Sequence, residues 1–341
     1  MRLRGICYDV GRVMMGQDWR PDFEPSMVRR ELAILRHDLN CNAVRICGQD
    51  LDRLSTAAAL ALDQGLSVWL SPELWDETQD ATLAYIASAA SRAEELRRTH
   101  AGDLTLSIGS ELTLFMQGIV EGSTLLERLA NPSLWDFLRA GRHNAPLNAF
   151  LAKAHAAARA SFGGPLTYAS VPLETVDWSL FDYVATDLYR DARIRAEFPQ
   201  LVRRSLSQGA GKPLVITEFG CCTYRGAADA GGRGWAIVNP DRTPPAWQGS
   251  YERDESEQAH ELSEVLGIFD DEGVDGAFAM TFIAPLLPTS DDPAYDLDMA
   301  SYSLVKIHPD RPGETYPGLR WEPKESFHAV AAYYGACKGQ P

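Results

Sequence analysis

Apolar positions fall into short runs, bounded by Gly, Pro or charged residues, that alternate with longer stretches where apolar residues return every three or four places. The short runs read as strands buried on both faces, the longer stretches as amphipathic helices. Strands are expected over residues 4–9, 41–47, 66–70, 104–111, 166–170, 181–187, 212–220 and 276–283. Helical spacing covers residues 27–39, 51–64, 80–99, 125–138, 145–160, 194–208, 255–271 and 324–337, with Ser26 as the expected N-cap of the first. Alternation of this kind implies right-handed parallel βαβ units. Eight of them predict an α/β chain forming one closed (β/α)8 barrel with extended βα loops, spanning residues 1–341 as a single domain without a linker.

Two of the strand-like runs share an ending. Residues 104–111 (LTLSIGSE) and 212–220 (KPLVITEFG) each carry a short apolar run to a glutamate, Glu111 and Glu218. A carboxylate so close to a buried run costs several kcal/mol unless it is paired, hydrogen-bonded or used. One such glutamate reads equally well as a salt-bridged strand end. Two of the same design point to a pair at the C-terminal rim of the barrel, where such folds place their chemistry.

Composition narrows the function class. A net charge of −15 over 341 residues argues against a nucleic-acid or anionic-membrane partner and is compatible with a neutral carbohydrate substrate. No G-x-G-x-x-G follows the first strand, and the Gly-rich stretch 226–234 lacks a G-K-[ST] ending. That stretch is expected as a mobile loop over the site. The seven histidines show no zinc-ligand spacing. Residues 1–5 run into a strand without a signal-peptide core, so the expected location is cytoplasmic and the six cysteines are expected as reduced thiols, with Cys221 and Cys222 packed beside the site.

With its segments IGSE (108–111) and ITEFG (216–220) at the ends of the fourth and seventh strands, the chain resembles the superfamily of retaining (β/α)8-barrel glycoside hydrolases, often called clan A, with no particular family singled out. The resemblance implies Glu111 as acid/base and Glu218 as nucleophile, cleaving a β-linked oligosaccharide or small glycoside without cofactor or metal. It also implies that Arg45, closing the second strand, and Tyr189, just past the sixth, support Glu218. Two positions depart from the family pattern. Ser110 stands where an asparagine usually meets the sugar 2-hydroxyl, and Phe282 where a tryptophan platform is common. Asp187, Glu73, Asp296 and Asp298 could each bind a sugar hydroxyl, against a simpler reading as surface or capping acids. Asp187 and Trp247 are carried as substrate-binding candidates. Trp19, Trp75 and Trp235 are further platform candidates, and Trp69 is expected in the core. Two other readings stay open: a catalytically weak carbohydrate-binding barrel, and a metal-dependent barrel using Asp9, Asp187 and Glu218.

Overall fold

The structure is a computed structural model that describes residues 1–14, 16–239, 242 and 245–337. Eight parallel strands form its main sheet: β1 (Leu3–Asp9), β2 (Ala43–Gly48), β3 (Ser67–Pro72), β4 (Leu104–Ser110), β5 (Leu166–Ala169), β6 (Val184–Asp187), β7 (Leu214–Phe219) and β8 (Gly276–Ala279). Their spatial order runs β5-β4-β3-β2-β1-β8-β7-β6. At the seam between β5 and β6, Ser170 N–H donates to Ala185 O at 3.1 Å and Asp187 N–H to Ser170 O at 2.7 Å. These bonds bring the two end strands together, so the sheet curls into the expected (β/α)8 barrel.

Helices α1 (Pro25–His37), α2 (Leu51–Asp63), α3 (Gln79–Thr99), α4 (Asn144–Arg159), α5 (Phe198–Gln208), α6 (Glu255–Asp271) and α7 (Glu325–Ala336) cover the outer wall. Their starts follow from local chemistry. The side chains of Asp50, Thr78 and Asp254 accept backbone N–H bonds at the heads of α2, α3 and α6. For α1, Pro25 occupies the first turn and Glu24 is the N-cap, so Ser26 lies inside the helix rather than capping it. The stretch expected as one helix over 125–138 is two short ones, Leu125–Ala130 and Leu134–Arg139, broken at Asn131 and Pro132. Between β5 and β6 the crossover holds only the 3-10 turn Trp178–Leu180, whose Trp178 is buried.

Strand side chains alternate between two apolar layers. On β7, Leu214 and Ile216 face the helices, while Val215 joins Leu3, Cys7, Ala43, Trp69, Ala185 and Phe278 inside the barrel. Trp69 is therefore core, as expected. Strict alternation from Val215 would turn Glu218 outward, three residues later. The ladder slips at this point: Thr186 pairs with Ile216 but Asp187 with Glu218, and on the other side Ala277 pairs with Ile216 but Ala279 with Phe219. A second slip on β4, between Ser107 and Ser110, precedes Glu111. Each bulge re-aims the residues at the rim of the barrel. Gly109 lies in the second one at φ +144°, and a Cβ there would sit 2.7 Å from Leu112 Cδ1.

Candidate active site

The two bulged strands deliver their glutamates to the same place. One oxygen each from Glu111, Asp187 and Glu218 lie within 4.8 Å of one another at the barrel mouth. Arg45, 1% exposed on β2, donates from Nη1 to Glu218 Oε1 at 2.7 Å and to Thr217 O at 3.2 Å. Its Nη2 reaches Ser71 Oγ at 3.2 Å, Ser110 Oγ at 3.3 Å and Glu73 Oε1 at 3.4 Å. Tyr189 OH donates to the other oxygen of Glu218, Oε2, at 3.1 Å. Glu218 is thus held from two sides with its head still 11% exposed toward the opening.

A second guanidinium, from Arg12 just past β1, lies across the same carboxylates. Its Nε donates to Asp9 Oδ2 at 2.6 Å, and Nη1 stands 3.6 Å from Glu73 Oε2 and 3.8 Å from Glu218 Oε1. Asp9 Oδ1 accepts the backbone N–H groups of Gly11 and Arg12, which fixes the loop that carries the arginine. Five carboxyl groups (Asp9, Glu73, Glu111, Asp187 and Glu218) thus face two guanidiniums. Burial raises the Glu73 carboxyl above the ordinary carboxylate range, against the pull of Arg12 and Arg45. Burial also pushes Asp187 up to about 8, helped by the charge of Glu218 and opposed by Arg45.

Glu111 has the fewest polar partners of the three. Among the described residues no cation pairs with it, and the enclosing walls, Asp187 and Glu218 all move its carboxyl well above the usual range. Its backbone is left-handed, φ 48° and ψ 38°. The turn after it is fastened by Tyr168 OH, which accepts the Leu112 N–H at 2.7 Å, and by Glu174, which accepts the Thr113 N–H at 3.1 Å and the Tyr168 hydroxyl at 2.9 Å. A left-handed non-glycine residue stores roughly 1–3 kcal/mol, and such strain gathers where function needs it. Glu111→Gly relieves the backbone and removes the crowded acid, so it is expected to stabilise the fold by about 1 kcal/mol. A thermal melt that moves downward instead would show that the Glu111 side chain supports the structure.

The structure brings together Arg45, Ser110, Glu111, Asp187, Tyr189 and Glu218, and leaves two candidates elsewhere. Phe282 is fully buried outside the barrel wall, stacked at 6.0 Å on Tyr8 and edge-on to Trp321 at 5.2 Å. Strand β8 stops at Ala279, and the next side chain, Met280, is the one that borders the site, with Sδ 3.9 Å from Arg12 Nη2. Trp247 is also buried, its Nε1–H donating to Pro293 O at 2.8 Å within a loop cluster that includes Cys221, Cys222 and Tyr224. It packs loops and presents no platform. Ser110 Oγ lies between Arg45 and Asp187, 3.4 Å from Asp187 Oδ2, so its contacts are internal to the cluster.

Among the acids, Glu73 and Asp187 are part of the cluster rather than surface or capping residues. Asp296 and Asp298 instead receive Arg253, and Asp298 also pairs with buried Lys324 at 2.8 Å. Trp75 lies flat on Phe115 at 3.7 Å, and Trp235 is 53% exposed. The Gly-rich stretch is ordered as two short helical turns, Ala227–Ala230 and Gly231–Ile237, not as an open loop. Tyr302 ties it down by donating to Gly231 O and accepting the Gly234 N–H, while its ring meets Tyr189 edge-on at 5.5 Å.

The three clustered oxygens are close enough for a divalent cation, but Glu218 already carries the charge of Arg45 at 2.7 Å. Asp9, named in the metal reading, is taken up by Arg12. The donor set therefore fits proton chemistry better than a cation. No helix among the described residues is long and apolar enough to cross a membrane.

No family model matches the sequence, and no curated protein matches it either. Solved structures do. A GH113 β-1,4-mannanase complex is 14% identical with a TM-score of 0.58, covering 98% of this chain and 100% of its own. The GH113 β-mannanase of Alicyclobacillus acidocaldarius in complex with ManMIm is 16% identical with a TM-score of 0.61, over 98% and 97%. β-Glucuronidase 2 of Bacteroides uniformis, covalently bound to cyclophellitol-6-carboxylate aziridine, is 14% identical with a TM-score of 0.60, over 98% of this chain and 35% of its own. At such identities the likeness is one of fold, and this chain carries the (β/α)8 barrel on which these glycoside hydrolases are built.

Proposed function

We propose that the protein is a retaining glycoside hydrolase acting on β-linked glycosides, with Glu218 as nucleophile and Glu111 as acid/base. The observation that carries this reading is the pairing of two unlike carboxyls at one barrel mouth, with oxygens within 4.8 Å. Double displacement uses carboxyl groups about 5–5.5 Å apart, whereas an inverting pair leaves about 6.5–9.5 Å for a water. Glu218 has an arginine and a tyrosine on its two oxygens and stays aimed at the opening. Such a carboxylate is oriented to attack an anomeric carbon. Glu111 sits where burial and neighbouring acids favour its protonated form, as a general acid requires. Two neighbours in fold are β-mannanases and a third is a β-glucuronidase held as a covalent adduct, which supports the reaction class.

The charge balance supports a neutral glycone. Both guanidiniums in the cluster already face Asp9, Glu73 and Glu218. A uronate would add a sixth carboxylate to a cluster whose two guanidiniums are already engaged. Assay against 4-nitrophenyl β-glycosides is the direct test, with turnover expected on a β-mannoside or another neutral β-glycoside and little on the β-glucuronide. Preference for the glucuronide would overturn the neutral-sugar assignment. Sugar binding without turnover anywhere in the panel would leave a carbohydrate-binding barrel.

A further inference from the structure

Asp187 is not explained by holding Glu218 or by packing. It ends β6, is 2% exposed, and its Oδ1 accepts no hydrogen bond. Its Oδ2 accepts from the Ser110 hydroxyl at a long 3.4 Å, and the Thr217 hydroxyl is the other neutral donor beside the carboxyl. The nearest cation, Arg45 Nη1, is 3.8 Å from Oδ1 and donates instead to Glu218. A buried carboxylate left this way costs several kcal/mol. What Asp187 does meet is another carboxyl, with an oxygen of Glu111 within 4.8 Å of one of its own. Ionised carboxylates only accept hydrogen bonds, so two can bond to each other only if one carries a proton.

We infer that Glu111 and Asp187 share a single proton, and that Asp187 is a positioning residue that holds this proton on Glu111 ready for transfer. The inference rests on the glycosidase reading for its role in turnover, but the shared proton itself follows from the cluster. The shared proton is accounted for at each step of the cycle. At rest the three groups Glu111, Asp187 and Glu218 hold one proton and two negative charges. When Glu218 bonds to the anomeric carbon, its charge is lost into an ester. The proton leaves Glu111 for the departing oxygen in the same step, the C–O bond breaks, and the alcohol departs. Two negative charges remain, now on Glu111 and Asp187. In the second step Glu111 takes a proton from water, the hydroxyl bonds to the anomeric carbon, and Glu218 recovers its charge as the ester breaks. The site never gains or loses net charge, which limits the cost of each step in a pocket shielded from water.

The groups that face the pair are Glu218 from β7, Arg45 from β2, Glu73 past β3, Glu174 past β5 and Tyr189 past β6. Glu218, Glu73 and Glu174 push protons onto the pair, and Arg45 opposes them at Asp187. Asp187→Asn keeps the shape and removes the charge nearest Glu111. A carboxyl whose proton is held by a neighbouring charge releases it at lower pH once that charge is gone. General-acid activity is present below that pH and lost above it. The alkaline fall in kcat/KM is therefore expected to begin about one pH unit lower in Asp187→Asn, on substrates with poor leaving groups.

The test that separates this inference from the glycosidase reading is a ¹³C NMR titration of labelled Glu and Asp carboxyls in the intact protein, with Glu111 identified by the signal lost in Glu111→Gln. In the wild type, Glu111 and Asp187 are expected to titrate as a coupled pair, each responding in two steps. Glu111 should shift down by about a pH unit in Asp187→Asn, and Asp187 should shift down likewise in Glu111→Gln. Independent single-step titration in the wild type, or the same Glu111 midpoint with and without Asp187, overturns the shared proton whether or not the protein hydrolyses glycosides. Should Asp187→Asn fail to fold, the wild-type titration and the Glu111→Gln variant still decide it. A pair that titrates as described in a protein without turnover would leave the inference standing and remove the enzymatic reading.

Discussion

Glu218→Gln is expected to lower kcat/KM on the best substrate by about four orders of magnitude or more, equivalent to a loss of roughly 5 kcal/mol of transition-state stabilisation. The amide preserves shape, its oxygen can still accept from Arg45 and its NH2 can donate to the Tyr189 oxygen, but it cannot form the ester with the anomeric carbon. Sugar affinity in the variant should change little, because the loss falls on a bond made during reaction rather than on ground-state contacts. Removing one negative charge from beside Arg45 leaves that guanidinium with Glu73 and Asp187, so folding should survive, and a thermal melt checks it. Near wild-type hydrolysis by a folded Glu218→Gln protein would make Glu218 a structural ion-pair partner and end the assignment.

The barrel was readable from the sequence because strands covered on both faces appear as unbroken apolar runs, and Glu111 and Glu218 stand out as charges at the ends of such runs. The same property hid what aims them. In a strand that is apolar on both faces, a slipped register leaves no mark on the pattern, so the bulges before Glu111 and Glu218 are visible only in the ladder. Phe282 was misplaced for a related reason. The run 276–283 looks like one strand, but the regular ladder of β8 ends at Ala279, and although the N–H groups of Met280 and Phe282 still donate to Phe219 O and Cys7 O, the Phe282 ring packs on Tyr8 and Trp321.

Other parts of the site lay in segments where charged residues are ordinary. Arg12 and Glu73 sit directly after β1 and β3, beside Val10, Val13, Leu74 and Trp75, where a lone charge reads equally well as a solvent-facing loop residue. The spacing Asp9-x-x-Arg12 after a strand was the available signal, since an aspartate there can accept the loop's N–H groups and the guanidinium together. Glu174 and Tyr168 hold the Glu111 turn by hydrogen bonds that depend on the β4–β5 register, which local sequence does not encode. Trp247 was legible as an aromatic in a loop, but its Nε1–H bond to Pro293 depends on a chain segment 46 residues away.

Glu111→Ala should separate the two carboxyl roles. As general acid, Glu111 matters in proportion to the proton the departing oxygen needs. Glycosides with poor leaving groups are expected to lose about a thousandfold in rate, within the range for a lost acid catalyst. Cleavage of a dinitrophenyl glycoside, whose leaving group departs as a stable anion, should keep its first step nearly intact. The second step then lacks its base, so the glycosyl-enzyme on Glu218 should accumulate, giving a burst of phenolate followed by slow turnover. Azide needs no base and fits the space left by the missing side chain. Its addition should restore turnover on the activated substrate and yield a β-glycosyl azide, because attack on the Glu218 ester restores the starting configuration. Equal losses on good and poor leaving groups, with no azide product, would remove Glu111 from the acid/base role. An α-glycosyl azide from this variant would mean that the two glutamates have exchanged roles, with Glu111 the attacking group and azide taking its place in a single inversion.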